Sequence, residues 1–180
     1  LRLLSIALLG FLVGCQQEDQ SFDYSEACSS VVHDYAYLRD QTDGQGVANL
    51  FTDEGSFSIF GETFSGRQAI KQRVLGAEVG PVTRHLISTI DIESKDPGKA
   101  RGVSYVTVYI GPRSDSINPI EVEGFAGIGE YHDRYVIDAG ECLIESREFI
   151  PVFTYQDKSD NKQSSWRRTR RCRYGRAAED

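Results

Sequence analysis

A phenol, a carboxylate and an imidazole occur along this chain in an order suited to proton transfer. Tyr35 and Asp40 stand five residues apart on one amphipathic segment, and Arg84-His85 opens a β-rich run. A third segment, Gly129 to Tyr135, reads Gly-Glu-Tyr-His-Asp-Arg-Tyr. Imidazole titrates near neutrality, a carboxylate can orient it and stabilise its cation, and a phenol can donate to a carbonyl as negative charge builds. Together the three serve removal of a proton next to a carbonyl, followed by loss of water or rearrangement. Each also has a structural reading. Tyr35 is a core residue with its hydroxyl at the rim, and His85 is a satisfied polar residue within a sheet. Asp40 is a solvated residue near a helix end, although a carboxylate there opposes the helix dipole.

The elements that must position these groups follow from periodicity. Cys28, Val31, Val32, Tyr35 and Leu38 recur at three- and four-residue steps, which predicts a helix from about Glu26 to Thr42 with Ser25 as its N-cap. Asp40 then lies on the polar side of the stripe, at the mouth of any pocket beneath it. A short helical piece, Val47 to Phe51, is broken by Thr52 to Gly55. A strand near Ser56–Phe60 and a helix from Arg67 to Leu75 follow. Four strand signals complete the folded part: Thr83–Glu93, Ala100–Ile110, Ile120–Ile137 and Cys142–Phe153. Helices followed by a long antiparallel meander predict an α+β fold. Ile120–Ile137 needs a bulge to curve, expected at Gly124, Gly127 or Gly129. Alternation sets Tyr131, Asp133 and Tyr135 on one face and His132 and Arg134 on the other, with Asp133 and Arg147 as a cross-strand ion pair. His33-Asp34 reads as helix surface.

From Ser25 to about Phe153 this order resembles the SnoaL-like branch of the nuclear transport factor 2-like superfamily. That branch holds polyketide cyclases, scytalone dehydratase, bile-acid dehydratase and members with no known activity. The resemblance implies a cone-shaped, half-open barrel, a curved antiparallel sheet wrapped around a long N-terminal helix, with an apolar cavity open at one end. It makes Tyr35, Asp40 and His85 the catalytic set, since they match the Tyr, Asp and His of the branch's dehydratases. Tyr131, Asp133 and Arg134 match a Tyr-x-Asp-Arg segment shared by catalytic and non-catalytic members, which makes it structural. On the next strand those dehydratases place a second His or Asp, whereas this chain offers Tyr105, Thr107 and Tyr109, none a ready proton acceptor near neutral pH. Tyr105, Thr107 and Phe57 are therefore expected as ligand-binding residues. The implied activity is that of a cofactor-independent lyase (dehydratase) or isomerase acting on a small, largely apolar molecule. A non-catalytic ligand-binding or assembly module with the same fold is the alternative, and a purely structural lipoprotein is a third. A homodimer stays open. No CxxC, HExxH or EF-hand spacing signals a metal, and no cofactor is implied.

The ends of the chain bear on its compartment. After Arg2, an apolar run from Leu3 to Val13 is interrupted only by Ser5 and Gly10 and closes on Leu12-Val13-Gly14-Cys15. It suits the h-region of a secretory signal, and the tetrapeptide resembles a bacterial lipobox with Cys15 as the lipidated residue. A plain signal peptide or a buried strand is the alternative. Gln16 after the cysteine points to the outer membrane, facing the periplasm. The expected organisation is a signal peptide over 1–14, a linker over 15–24, the domain over 25–155 and a disordered basic tail over 156–180. That tail carries eight Lys and Arg against four Asp and Glu, so with a total of −7 the rest of the chain sums to −11. An acidic body on a lipid anchor argues against nucleic acid as partner. An exported chain permits a disulfide, and Cys28 with Cys142 is the expected pair, both lying in the folded part.

Overall fold

Helix α1 (Tyr24–Asp40) forms because its apolar residues fall on one stripe: Cys28, Val31, Val32, Tyr35 and Ala36 are buried, while His33 and Asp34 face solvent. Each fully buried aliphatic side chain on that stripe contributes about 1.5–3 kcal/mol. The computed structural model describes residues 24–76, 80–114, 117–122 and 124–154. The candidate signal with Cys15 and the basic segment with Cys172 lie outside them. Ser25 falls within the first turn of α1 rather than capping it.

Helix α2 (Gly44–Asn49) is capped by Asp43, whose carboxylate accepts from the Gly46 amide at 2.8 Å. The expected break at Thr52–Gly55 is instead part of strand β1 (Phe51–Ile59), because Phe51 pairs in parallel with Ile144 and the Ile144 amide donates to the Leu50 carbonyl at 2.8 Å. Strand β2 (Glu62–Ser65) had no counterpart in the sequence reading. It closes a two-residue hairpin through Phe60 and Gly61, both at positive φ. Helix α3 (Arg67–Leu75) has the expected bounds. Strands β3 (Val82–Asp96), β4 (Lys99–Gly111), β5 (Gly127–Asp138) and β6 (Glu141–Thr154) form the antiparallel meander.

The six strands run in the order β2-β1-β6-β5-β4-β3, so the sheet is unclosed and β3 and β2 are its edges. Curvature comes from register shifts. One extra residue sits in β3 between Ile87 and Ile90 and another between Glu93 and Asp96, and β6 carries two more, opposite Ile128–Gly129 and Arg134–Tyr135. The bulge at Gly129 thus falls on the partner strand, and β5 begins only at Gly127. Gly129 is still required: a Cβ there would lie 2.6 Å from the Ile150 carbonyl oxygen, with the Phe149 ring equally close.

One face of the sheet meets α1, which packs along β3 and β6. Its inward positions are Ala100, Ser104, Val106 and Val108 on β4, Tyr131, Asp133 and Tyr135 on β5, and Ile144, Arg147 and Phe149 on β6. A Cys28–Cys142 disulfide ties the first turns of α1 to β6 across a separation of 114 residues. By the chain-entropy account, closing a loop of that length stabilises the fold by about 4–5 kcal/mol.

Candidate active site

Asp40 is the last residue of α1, and it meets β3 on the side that has no strand partner. There the edge backbone would otherwise present unmet donors. One carboxylate oxygen of Asp40 accepts from the His85 amide at 2.9 Å. The other accepts from Thr83 Oγ1 at 3.0 Å and lies 2.6 Å from His85 Nδ1. The two side chains are only 10% and 9% exposed. Burial pushes the Asp40 carboxyl up, but the His85 ring bond, its charge and amide, and the Thr83 hydroxyl outweigh that, so it titrates below its ordinary value. It is therefore ionised at neutral pH and can only accept. A neutral His85 must then carry its proton on Nδ1 and keep the Nε2 lone pair. An oriented base of this kind is the pairing that acid–base and nucleophilic sites share.

Tyr35 sits earlier on α1 and faces the same side of the sheet, but it is packed differently. Its ring lies 6.3 Å from Phe51, 6.1 Å from Phe57 and 5.5 Å from Tyr131. The Arg147 guanidinium lies 4.1 Å from its ring centre. Burial raises the phenol above its ordinary value, with Arg147 pulling partly the other way. Tyr35 thus stays protonated as a donor. Asp40 and His85 are brought into contact, while Tyr35 stands apart from them in an aromatic core that includes Phe57.

The expectation that Tyr105 and Thr107 line the same space is corrected. His85 pairs with Val108, and both side chains point inward. Tyr105 and Thr107 belong to the opposite parity of β4, pairing with Glu130 and Ile128, and Tyr105 is 45% exposed on the outer face. Tyr109, opposite Arg84, shares that outer parity. On β4 the inward positions nearest His85 are Val106, Val108 and Ile110, and none is a base. A cavity of about 570 Å³ lies over strands β1, β6, β5, β4 and β3, with Ser58, Glu148, His132, Val103 and Asp91 in its lining. A second, of about 220 Å³, adjoins it around Lys99, Arg101 and Glu145. Neither is lined by Tyr35, Asp40 or His85.

The Asp133–Arg147 pair is present and is deeper than the sequence implied. Arg147 Nε and Nη2 donate to the two Asp133 oxygens at 2.8 and 2.7 Å, and Tyr135 Oη donates to Asp133 at 2.7 Å. Burial works against the Arg147 charge, but Asp133 outweighs it and holds the guanidinium protonated. Sequence reasoning missed Ser104, a buried hydroxyl with no partner among the described residues. The signal was available, because Ala100, Gly102, Ser104, Val106 and Val108 are small or aliphatic and alternate with Arg101, Tyr105 and Tyr109. Among the described residues no three His, Cys, Asp or Glu side chains converge as metal ligands.

A family model described as a SnoaL-like domain matches residues 20–148. No curated protein matches the chain. Solved structures similar to it include Rv3472 from Mycobacterium tuberculosis, a protein of unknown function, at 24% identity and a TM-score of 0.62 over 75% of each chain. A putative scytalone dehydratase from Novosphingobium aromaticivorans aligns at 24% identity and a TM-score of 0.58, covering 74% of this chain and 88% of that one. ActVI-ORFA from Streptomyces coelicolor aligns at 23% identity and a TM-score of 0.58, covering 70% and 95%. At these identities the likenesses establish the fold, which is the nuclear transport factor 2-like, cystatin-like one.

Proposed function

The chain belongs to the SnoaL-like domain family, and from that premise we propose a lyase or isomerase that holds a small, largely apolar molecule between α1 and the inward face of the sheet. The observation that carries this reading is the 2.6 Å contact between His85 Nδ1 and Asp40 at the end of α1. His85 Nε2 takes a proton from carbon next to a carbonyl, and the Asp40 carboxylate stabilises the imidazolium that forms. The imidazolium then returns the proton, either to a departing hydroxyl, which leaves as water, or to a second carbon. General acid–base catalysis of this kind contributes about 10²–10⁴-fold. The likeness in fold to a putative scytalone dehydratase adds support for the reaction class.

A direct test uses 2-tetralone as probe in deuterium oxide, following loss of its α-proton signals by NMR. Wild type is expected to catalyse exchange, and His85→Ala to lose it by about 100-fold or more. Bound probe with no exchange above buffer would defeat the catalytic reading. It would favour a non-catalytic ligand-binding or assembly module, for which the base-free inward positions Val106, Val108 and Ile110 already argue.

We also propose that the domain is lipid-anchored in the bacterial cell envelope through Cys15. Support comes from the Leu12-Val13-Gly14-Cys15 motif and from the Cys28–Cys142 disulfide, a bond that persists in oxidising compartments. A tagged fatty acid fed to expressing cells should label wild type and not Cys15→Ala. Equal labelling of both would remove the anchor.

A further inference from the structure

Two buried groups on the inward face have a donor with nothing to receive it. Arg147 is 1% exposed, and its Nε and Nη2 are taken up by Asp133. Among the described residues its Nη1 has no hydrogen-bond partner. The Tyr35 and Tyr131 rings, 4.1 and 4.5 Å from the guanidinium carbon, offset its charge but offer no lone pair to that N–H edge. Ser104 Oγ is buried and unpartnered as well. The register sets the two on either side of β5: Ser104 is directly opposite Tyr131, and Asp133, the next inward residue of β5, is directly opposite Arg147. Both orphans therefore border Tyr131. Asp133 clamps the guanidinium and keeps Nη1 from turning elsewhere. A buried donor without an acceptor is costly, a charged one most of all.

We propose that Arg147 Nη1 and Ser104 Oγ bind a carbonyl oxygen at the inner end of the guest molecule. This deepens the pocket reading above and rests on it. The oxygen is that of a neutral carbonyl rather than a carboxylate, because Asp133 already balances the Arg147 charge and a second anion would be buried uncompensated. The guest is then a largely apolar body with this oxygen at its inner end, and the carbonyl that acidifies the reacting carbon at its other end, toward Asp40 and His85. Tyr35, which lies on Arg147, and Asp40 are five residues apart on α1, or about 7.5 Å of helix axis. That is on the order of the length of a fused two-ring body.

The test compares 2-acetylnaphthalene with 2-isopropenylnaphthalene, which replaces the oxygen by a methylene, and with 2-naphthoate, by calorimetric titration of the folded protein. Wild type is expected to bind the ketone roughly tenfold or more tightly than the hydrocarbon, and the naphthoate less tightly than the ketone. Ser104→Ala should narrow the ketone preference without loss of folding. Removing Arg147 alone strands Asp133, so the matching variant is Asp133→Asn with Arg147→Gln, which keeps the site neutral and should abolish the preference. If that variant does not fold, the Arg147 side-chain NMR signals serve instead, shifting with ketone and not with hydrocarbon. Equal binding of ketone and hydrocarbon, or tighter binding of the naphthoate, overturns the inference and leaves the pocket standing. Failure of all three to bind overturns the pocket reading and this inference with it.

Discussion

Asp40 and Asp133 each hold a nitrogen group of a neighbouring element, yet the two settings differ in every respect that decides reactivity. Asp133 lies in the middle of the sheet, with Arg147 as a permanent cation and Tyr135 as a third member, all buried. Arg147 keeps its proton near neutral pH and both Asp133 oxygens already accept hydrogen bonds, so that network fixes the register of β5 on β6 rather than moving a proton. Asp40 lies at a helix end against an edge strand, and its partner is an imidazole. The partner's chemistry and its position at a rim separate the structural pair from the reactive one. The presence of an ion pair does not.

The difference should appear first in stability. Asp133→Ala leaves Arg147 charged, buried and unpaired, and is expected to cost about 3–5 kcal/mol in urea denaturation. A loss below about 1 kcal/mol would mean the core network is not structural. Asp40→Ala removes an acceptor shared by the His85 amide, the His85 ring and Thr83, for an expected loss of about 1.5–3 kcal/mol at neutral pH. Because the Asp40 carboxyl titrates below its ordinary value when folded, its contribution is complete above the unfolded value of about 3.9 and is lost as pH falls through the lower folded one. Stability curves of wild type and Asp40→Ala should therefore converge below about pH 4 and stay apart above it. A gap independent of pH would contradict the assignment. His85→Ala should cost least, about 1 kcal/mol or less, since Asp40 keeps Thr83 as a donor, while exchange of the tetralone probe disappears. A larger loss with exchange intact would make His85 a structural residue.

The sequence disclosed local features better than long-range ones. The stripe on α1, the bounds of α3 and the facing of Tyr131, Asp133 and Tyr135 follow from periodicity, which is a property of short windows. The parallel pairing of β1 with β6 brings together residues far apart in the chain, so no window contains it. The Phe60-Gly61 turn was missed because its first residue is an aromatic in a left-handed conformation, not the usual Asn or Asp. Tyr105 and Thr107 were assigned to the wrong face because a strand's inward parity depends on register, and a one-residue choice moves every side chain to the other side. The same choice hid Ser104. Asp40 and His85 could be named from their types and order, but their contact depends on β3 being an edge strand.

Asp40 orients His85 as a base with its lone pair on Nε2. The most direct measurement is the imidazole tautomer, read from side-chain ¹⁵N shifts at a pH where the ring is neutral, in wild type and in Asp40→Asn. The His85 amide can only donate, so the Asn carbonyl must stay with it and the Asn amino group must turn toward Nδ1. Wild type is predicted to show the proton on Nδ1, and Asp40→Asn to show it on Nε2. A wild-type ring protonated on Nε2, or the same tautomer in both proteins, would contradict the account.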